Sequence, residues 1–99
     1  MEDYPYLNEA LARVLRRQRE GRGLSKRSFA EAAGLQRVYV IQLERGEKRP
    51  TLNAIFYLCD ALQMPRQDFL AEIEAEMERI QNENSLDREK ALFSTTDTQ

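Results

Sequence analysis

The chain contains no histidine and a single cysteine, Cys59. These two scarcities remove the usual ligand sets for zinc, iron and copper, the histidine-based catalytic triads and the commonest general base. One cysteine cannot close an intrachain disulfide. Set among Ile55, Phe56, Leu58 and Leu62, it reads as a small buried side chain, and a lone thiol fits a reducing compartment. There is no run of 18 apolar residues and no opening basic, apolar and small-residue pattern. Neither a membrane span nor a secretory signal is therefore expected, and the expected location is cytoplasmic. Acidic residues are plentiful, but most fall along solvent-facing helix surfaces and none is set beside a recognisable cleft. The expectation is a protein that is not an enzyme and holds no metal or cofactor.

At 99 residues the chain suits one domain with a small core, for which self-association would be unsurprising. Its net charge of −2 hides a division. From Arg13 to Arg49 there are eleven Lys or Arg residues against four acids, a balance of +7. From Arg66 to Gln99 there are four basic residues against nine acids, a balance of −5. A basic block followed by an acidic one points to a polyanion-binding face and a separate segment turned to water or a partner; ordinary solvated helix surface is the plainer alternative.

Periodicity and punctuation predict five helices. The first carries Leu11, Val14 and Leu15 on one face, with Asn8 as its candidate cap, and ends at Gly21 and Gly23. Ser25 caps a short second helix holding Phe29, Ala30 and Ala33, which Gly34 stops. A third short helix follows from Gln36 to Arg45, with Val40 and Leu43 inward. Two helices this short cannot make separate cores, so a crossed pair locked between its neighbours is expected. Thr51 caps a fourth helix with Leu52, Ile55, Phe56, Cys59 and Leu62 at helical spacing. The fifth is read from Pro65 to Asn82, with Phe69 and Leu70 finishing the core. Its stripe of Leu70, Ile73, Met77 and Ile80 either folds back on the domain or packs against a second copy. Ile73, Met77 and Ile80 are the expected dimer contact, and the region around the fourth helix and Pro65 is the other candidate surface. From Ser85 the apolar pattern decays to Leu86, Leu92 and Phe93, and a disordered tail over 85–99 is expected.

The stretch GLSKRSFAEAAGLQRVYVIQLERGEKRPTLNAIFYLCDALQMPRQDFL, Gly23 to Leu70, resembles the Cro/C1-type helix-turn-helix family of phage repressors and their bacterial relatives. Gly23-Leu24-Ser25, Ala30, Ala33-Gly34-Leu35, Tyr39-Val40, Gln42 to Gly46, Pro50-Thr51-Leu52 and Ala61-Leu62 carry the likeness. The resemblance implies an all-α fold, a five-helix lambda-repressor-like DNA-binding domain over 6–70, here with an extended C-terminal helix over 71–84. It implies that the third helix lies in the major groove, where Gln36, Arg37, Val38, Ile41 and Gln42 meet base edges. Arg37 is suited to guanine, Gln42 to adenine, and Val38 or Ile41 to a thymine methyl. Lys26, Arg27, Tyr39, Lys48 and Arg49 are placed for phosphates. Arg19 and Glu44 match positions that often form an ion pair between the first and third helices.

Three departures stand out. Lys26 replaces a glutamine that usually anchors a phosphate, and Gln36 replaces a serine or threonine cap. Val38 and Ile41 are apolar where polar residues are common, so that surface either reads thymine methyls or meets a protein. The function expected is sequence-specific control of transcription by a homodimer on a palindromic operator in double-stranded DNA. With no ligand-sensing domain in view, control would come through concentration, dimerisation, proteolysis or a partner. The alternative is an antitoxin-like or adaptor protein that binds a protein partner through its C-terminal arm, with Leu86, Leu92 and Phe93 as anchors.

Overall fold

Local capping signals set where the helices begin and end. The computed structural model describes residues 2–97, with side chains as far as Arg88. It contains α1 (Leu7–Gly21), α2 (Lys26–Ala33), α3 (Arg37–Glu44), α4 (Leu52–Leu62) and α5 (Arg66–Asp97). The Ser25 hydroxyl accepts the Ser28 N–H at the start of α2, and the Thr51 hydroxyl accepts the Ala54 N–H at the start of α4. Each satisfies a donor the helix cannot, worth about 1 kcal/mol. Gly34 closes α2 at φ 68°, a left-handed conformation that costs glycine little. The Leu35 N–H then returns to the Ala30 carbonyl at 2.9 Å, which folds the chain sharply into α3.

The entrance to α1 differs from the expectation. Asn8 lies inside the first turn, and the residue before the helix is Tyr6, at φ 66° and ψ −2° with no side-chain cap. Pro5 and Tyr6 form the middle of a tight turn closed by the Leu7 N–H on the Tyr4 carbonyl at 3.1 Å. Tyr6 has the dihedrals of the third position of a type II turn. The backbone thus supplies the entry geometry, and the Asn8 amide donates to Asp3 instead.

Core residues come from all five helices. Val14 and Leu15 of α1, Phe29 of α2, Val40 and Leu43 of α3, Leu58 and Leu62 of α4, and Phe69 of α5 are all fully buried. Phe69 alone contributes roughly 1.5–3 kcal/mol by leaving water. Cys59 is buried among them, unpaired, and burial pushes its thiol pKa up. Leu70 departs from the expectation: it is 53 % exposed, one position off the covered face.

The C-terminal helix brings the main corrections. Ile73 and Ile80 are buried in the protein's own core, and Met77 packs half-buried against it. α5 runs antiparallel along α1, as the ion pairs Arg13–Glu76, Arg13–Glu83 and Arg17–Glu72 require. The stripe expected at a dimer contact is therefore spent within one chain. The helix also continues past Asn82 to Asp97, where a tail was expected from Ser85. No glycine or proline follows Pro65, and loss of an apolar face does not by itself stop a helix. The side chains of Leu92 and Phe93 lie outside the described residues.

The seam between α1 and α5 is also ionic. Glu76 is buried. It accepts hydrogen bonds from Arg13 at 3.2 Å, Arg17 at 3.1 Å and Arg79, while Gln18 donates to Glu72 at 2.7 Å. Burial alone would push the Glu76 carboxyl pKa up. Hydrogen bonds from Arg17 and Arg13, with the Arg17 charge and Arg79, outweigh that penalty and hold it below the ordinary carboxylate value. A carboxylate whose pKa is depressed on folding stabilises the fold above its unfolded pKa. That contribution disappears as the pH falls through the folded value. Glu76→Gln is therefore expected to cost roughly 1–3 kcal/mol at pH 7, the range for stripping a buried partner from groups that water still reaches. The penalty should shrink towards zero in strong acid. Urea unfolding of wild type and variant across that pH range measures it; an undiminished penalty in acid would show that the charge is irrelevant.

Candidate nucleic-acid interface

The back of α3 is fixed before its front is available to read anything. Val40 and Leu43 are fully buried, and Leu35 and Tyr39 pack against the same core. The Tyr39 hydroxyl oxygen accepts the Thr51 N–H at 3.3 Å. That bond braces α3 against the loop leading to α4, and leaves the hydroxyl proton for another acceptor.

Arg19 is the second brace. Its Nε and Nη2 donate to the two Glu44 oxygens at 2.7 and 3.0 Å, and its Nη1 donates to the Leu24 carbonyl at 2.8 Å. The two side chains are 9 % and 3 % exposed. One guanidinium thus joins the end of α1, the α1–α2 turn and the last residue of α3. Its hydrogen bonds to Glu44 hold its pKa above the ordinary value despite burial. The pair matches what the resemblance implied for these two positions.

The opposite side of α3 faces solvent. Gln36, Arg37 and Val38 are exposed, Val38 to 62 %. Ile41 and Gln42 lie one turn further along and are half-buried, so they offer narrower surfaces than the first three. Gln36 makes no side-chain cap, as expected of glutamine at that position. Of the expected phosphate ligands, Lys26 is half-buried and Arg27 exposed at the start of α2, and Lys48 and Arg49 are exposed in the loop after α3.

Their electrostatic states differ in a way the sequence did not reveal. Arg27 lies 3.3 Å from Glu31 and Arg49 lies 2.7 Å from Asp3. Arg13, Arg16, Arg17, Arg19 and Arg45 are likewise in ion pairs, and Arg22 donates to the Leu62 carbonyl. Among the described residues of the basic block, only Lys26, Arg37 and Lys48 have no such partner. Two arginines of the basic block, Arg13 and Arg17, pair with the acidic residues of α5 across the α1–α5 seam. Sequence reasoning missed Asp3 and Glu76, because nothing in a linear pattern links a carboxylate to an arginine dozens of residues away.

Among the described residues, no group of three or more His, Cys, Asp or Glu side chains is arranged to hold a metal ion. No helix among them is long and apolar enough to cross a membrane. What the site offers is a helix held rigidly from behind, presenting a short polar and apolar surface beside uncompensated positive charge. This is the arrangement of a helix-turn-helix module.

Comparison with known proteins agrees. A family model described as a helix-turn-helix domain matches residues 10–71. The chain belongs to the Cro/C1-type helix-turn-helix family of DNA-binding domains. The crystal structure of the clp gene regulator ClgR from Corynebacterium glutamicum superposes with a TM-score of 0.80 at 32 % identity, covering 87 % of this chain and 92 % of that one. The transcriptional regulator ClgR of Mycobacterium tuberculosis is 32 % identical over 59 residues, 60 % of this chain. That match spans about half the relative's length, 53 %. The control protein C.SmaI of Serratia marcescens is 38 % identical over 56 residues, 57 % of this chain and 67 % of that one.

Glu44→Gln is expected to cost about 3–5 kcal/mol, because it leaves the Arg19 charge buried without its partner. Glu20→Gln is the control. Glu20 lies 3.8 Å from the same guanidinium with its side chain 58 % exposed, and its loss should change stability by no more than about 0.5 kcal/mol. Thermal unfolding of the two variants separates them; equal effects would mean that the buried pair does not hold α3.

Proposed function

We propose that the protein is a transcriptional regulator that binds double-stranded DNA sequence-specifically as a homodimer on a palindromic operator. The observation that carries this reading is the exposed first turn of α3, where Arg37 has no partner among the described residues and Val38 is 62 % exposed. Arg37 has the fork geometry to donate twice to guanine O6 and N7, Gln42 suits adenine, and Val38 with Ile41 suits a thymine methyl. Gln36 reaches the same groove from the helix start. Lys26 and Lys48, with Arg27, Arg49 and the Tyr39 hydroxyl, supply phosphate contacts that set register without reading sequence. The names of the relatives, a transcriptional regulator and a control protein, support a regulatory role.

A single module makes too few contacts for tight, selective binding. Two modules about one helical turn apart, roughly 34–36 Å, double the interface and read a palindrome. With Ile73 and Ile80 buried in the core, the region around α4 is the better candidate for the dimer surface. The exposed apolar residues Leu52, Phe56 and Tyr57 favour α4. The Arg66 guanidinium lies 4.1 Å from the Phe56 ring centroid and pairs with Asp60 at 2.8 Å, so the patch has a preformed polar edge.

A second reading, an adaptor whose arm binds a protein partner, is favoured by one observation. Beyond Ile80 every described residue, Gln81 to Arg88, is exposed although helical. A helix with no packing is marginal in water, and a partner would stabilise it. The arm begins only after Ile80, because residues before it are held against α1.

In titrations on a duplex selected from a random pool, Arg37→Ala should lose about 1–3 kcal/mol and relax preference at one base pair. Lys26→Ala should weaken selected and scrambled duplexes alike and reduce the salt slope by about one. Uniform loss from both variants would contradict the base-reading role. Sedimentation equilibrium tests the dimer: wild type should be dimeric and a folded Phe56→Glu variant monomeric. A monomeric wild type would move the adaptor reading ahead.

A further inference from the structure

The N-terminal segment and the loop after α3 are distant in sequence and adjacent in space. Gly46 adopts φ 73°, and a side-chain carbon at that position would stand 3.7 Å from the Asn8 carbonyl oxygen. The loop that carries Lys48 and Arg49 therefore leaves α3 directly beside the start of α1. Asp3 bridges what remains. One carboxylate oxygen forms an ion pair with Arg49, 2.7 Å from its Nε, and the other accepts from Asn8 Nδ2 at 3.4 Å. The carboxylate is thus tethered from one side and presented to the guanidinium from the other.

We propose that Asp3 acts as an internal stand-in for a DNA phosphate, occupying Arg49 in the unbound protein and competing with the backbone of the duplex. The inference rests on the DNA-binding reading and concerns how strongly the sequence-independent part of binding is expressed. A carboxylate and a phosphate oxygen make the same charge-assisted hydrogen bond to a guanidinium. A phosphate can take that bond only by displacing Asp3 or by sharing Arg49 with it. While the pair is closed, the duplex meets a nearly neutral unit at this point in place of a cation, and fewer condensed counterions leave the DNA on binding. The side chains are 52 % and 56 % exposed, so the clip is weak and readily opened, as an attenuator must be. An ion pair of that exposure is worth up to about 1 kcal/mol, which limits the effect to roughly two- to fivefold in affinity for each protomer.

The test uses the full chain, a mixed-sequence duplex three helical turns long, and fluorescence anisotropy over a range of salt concentrations. Asp3→Asn removes the charge and keeps the shape at an exposed site. It should tighten binding about two- to fivefold at low salt and steepen the salt dependence by up to about 0.9 for each protomer. The same change in an Arg49→Gln background should have no effect. Equal affinity and slope in Asp3→Asn and wild type would overturn the proposal. A gain that persists without Arg49 would also overturn it, since Asp3 would then act by repelling DNA directly. If wild type binds no duplex even at low salt, the DNA-binding reading fails and the proposal with it.

Discussion

Everything that faces outward on α3 depends on one buried guanidinium. Arg19 holds Glu44 with two hydrogen bonds and the Leu24 carbonyl with a third, so the end of α1, the turn before α2 and the end of α3 move as one body. Hydrophobic contact would keep these elements together but would not fix their rotation, because dispersion between aliphatic side chains has little directional preference. A bidentate pair with a planar fork does fix it. Burying it carries a desolvation cost that a pair of well-packed apolar residues would not. Orientation is what that cost supports.

The α1–α5 seam works differently. Glu76 is almost enclosed, yet its three arginines remain 40–57 % exposed, so the positive side of the network keeps most of its hydration. The arrangement evades much of the penalty of a fully buried ion pair while satisfying the one group that is buried. It also explains how a helix rich in glutamate lies along a helix rich in arginine with Ile73 and Ile80 beneath. The charges select the antiparallel register, and the aliphatic side chains supply the burial.

The legible and illegible parts of this fold divide along a physical line. Ser25, Gly34 and Thr51 act within a few residues of themselves, so the limits of α2 and the starts of α3 and α4 were readable from composition and spacing. The inward residues of α3 were readable for the same reason, whereas the outward placing of Gln36, Arg37 and Val38 came from the family resemblance. Periodicity also grouped Ile73, Met77 and Ile80 correctly on one face. It could not say what covers that face, because a stripe seeks any apolar surface, and α1 was near enough to supply it. The end of α5 was misread because apolar pattern and helix propensity are separate properties. Asp3 and Arg49 meet through the turn at Tyr6 and the close approach at Gly46, and neither leaves a mark on the residues that meet.

Charge available to an outside polyanion is therefore decided by subtraction. The sequence counts eleven cations between Arg13 and Arg49, but folding commits most of them to glutamates, to a carbonyl or to Asp3. The remainder, Lys26, Arg37 and Lys48, belong to the starts of α2 and α3 and to the loop after α3. Screening acts over about 8 Å at physiological ionic strength, so a nearby anion responds to the charges close to it and not to the net charge of −2. An acidic whole-chain balance and a basic binding face are thus compatible in one small domain. The acidic residues of α5 contribute to both: Glu72, Glu76 and Glu83 neutralise Arg13 and Arg17 on α1, and Lys26, Arg37 and Lys48 are left at the starts of α2 and α3 and in the loop after α3.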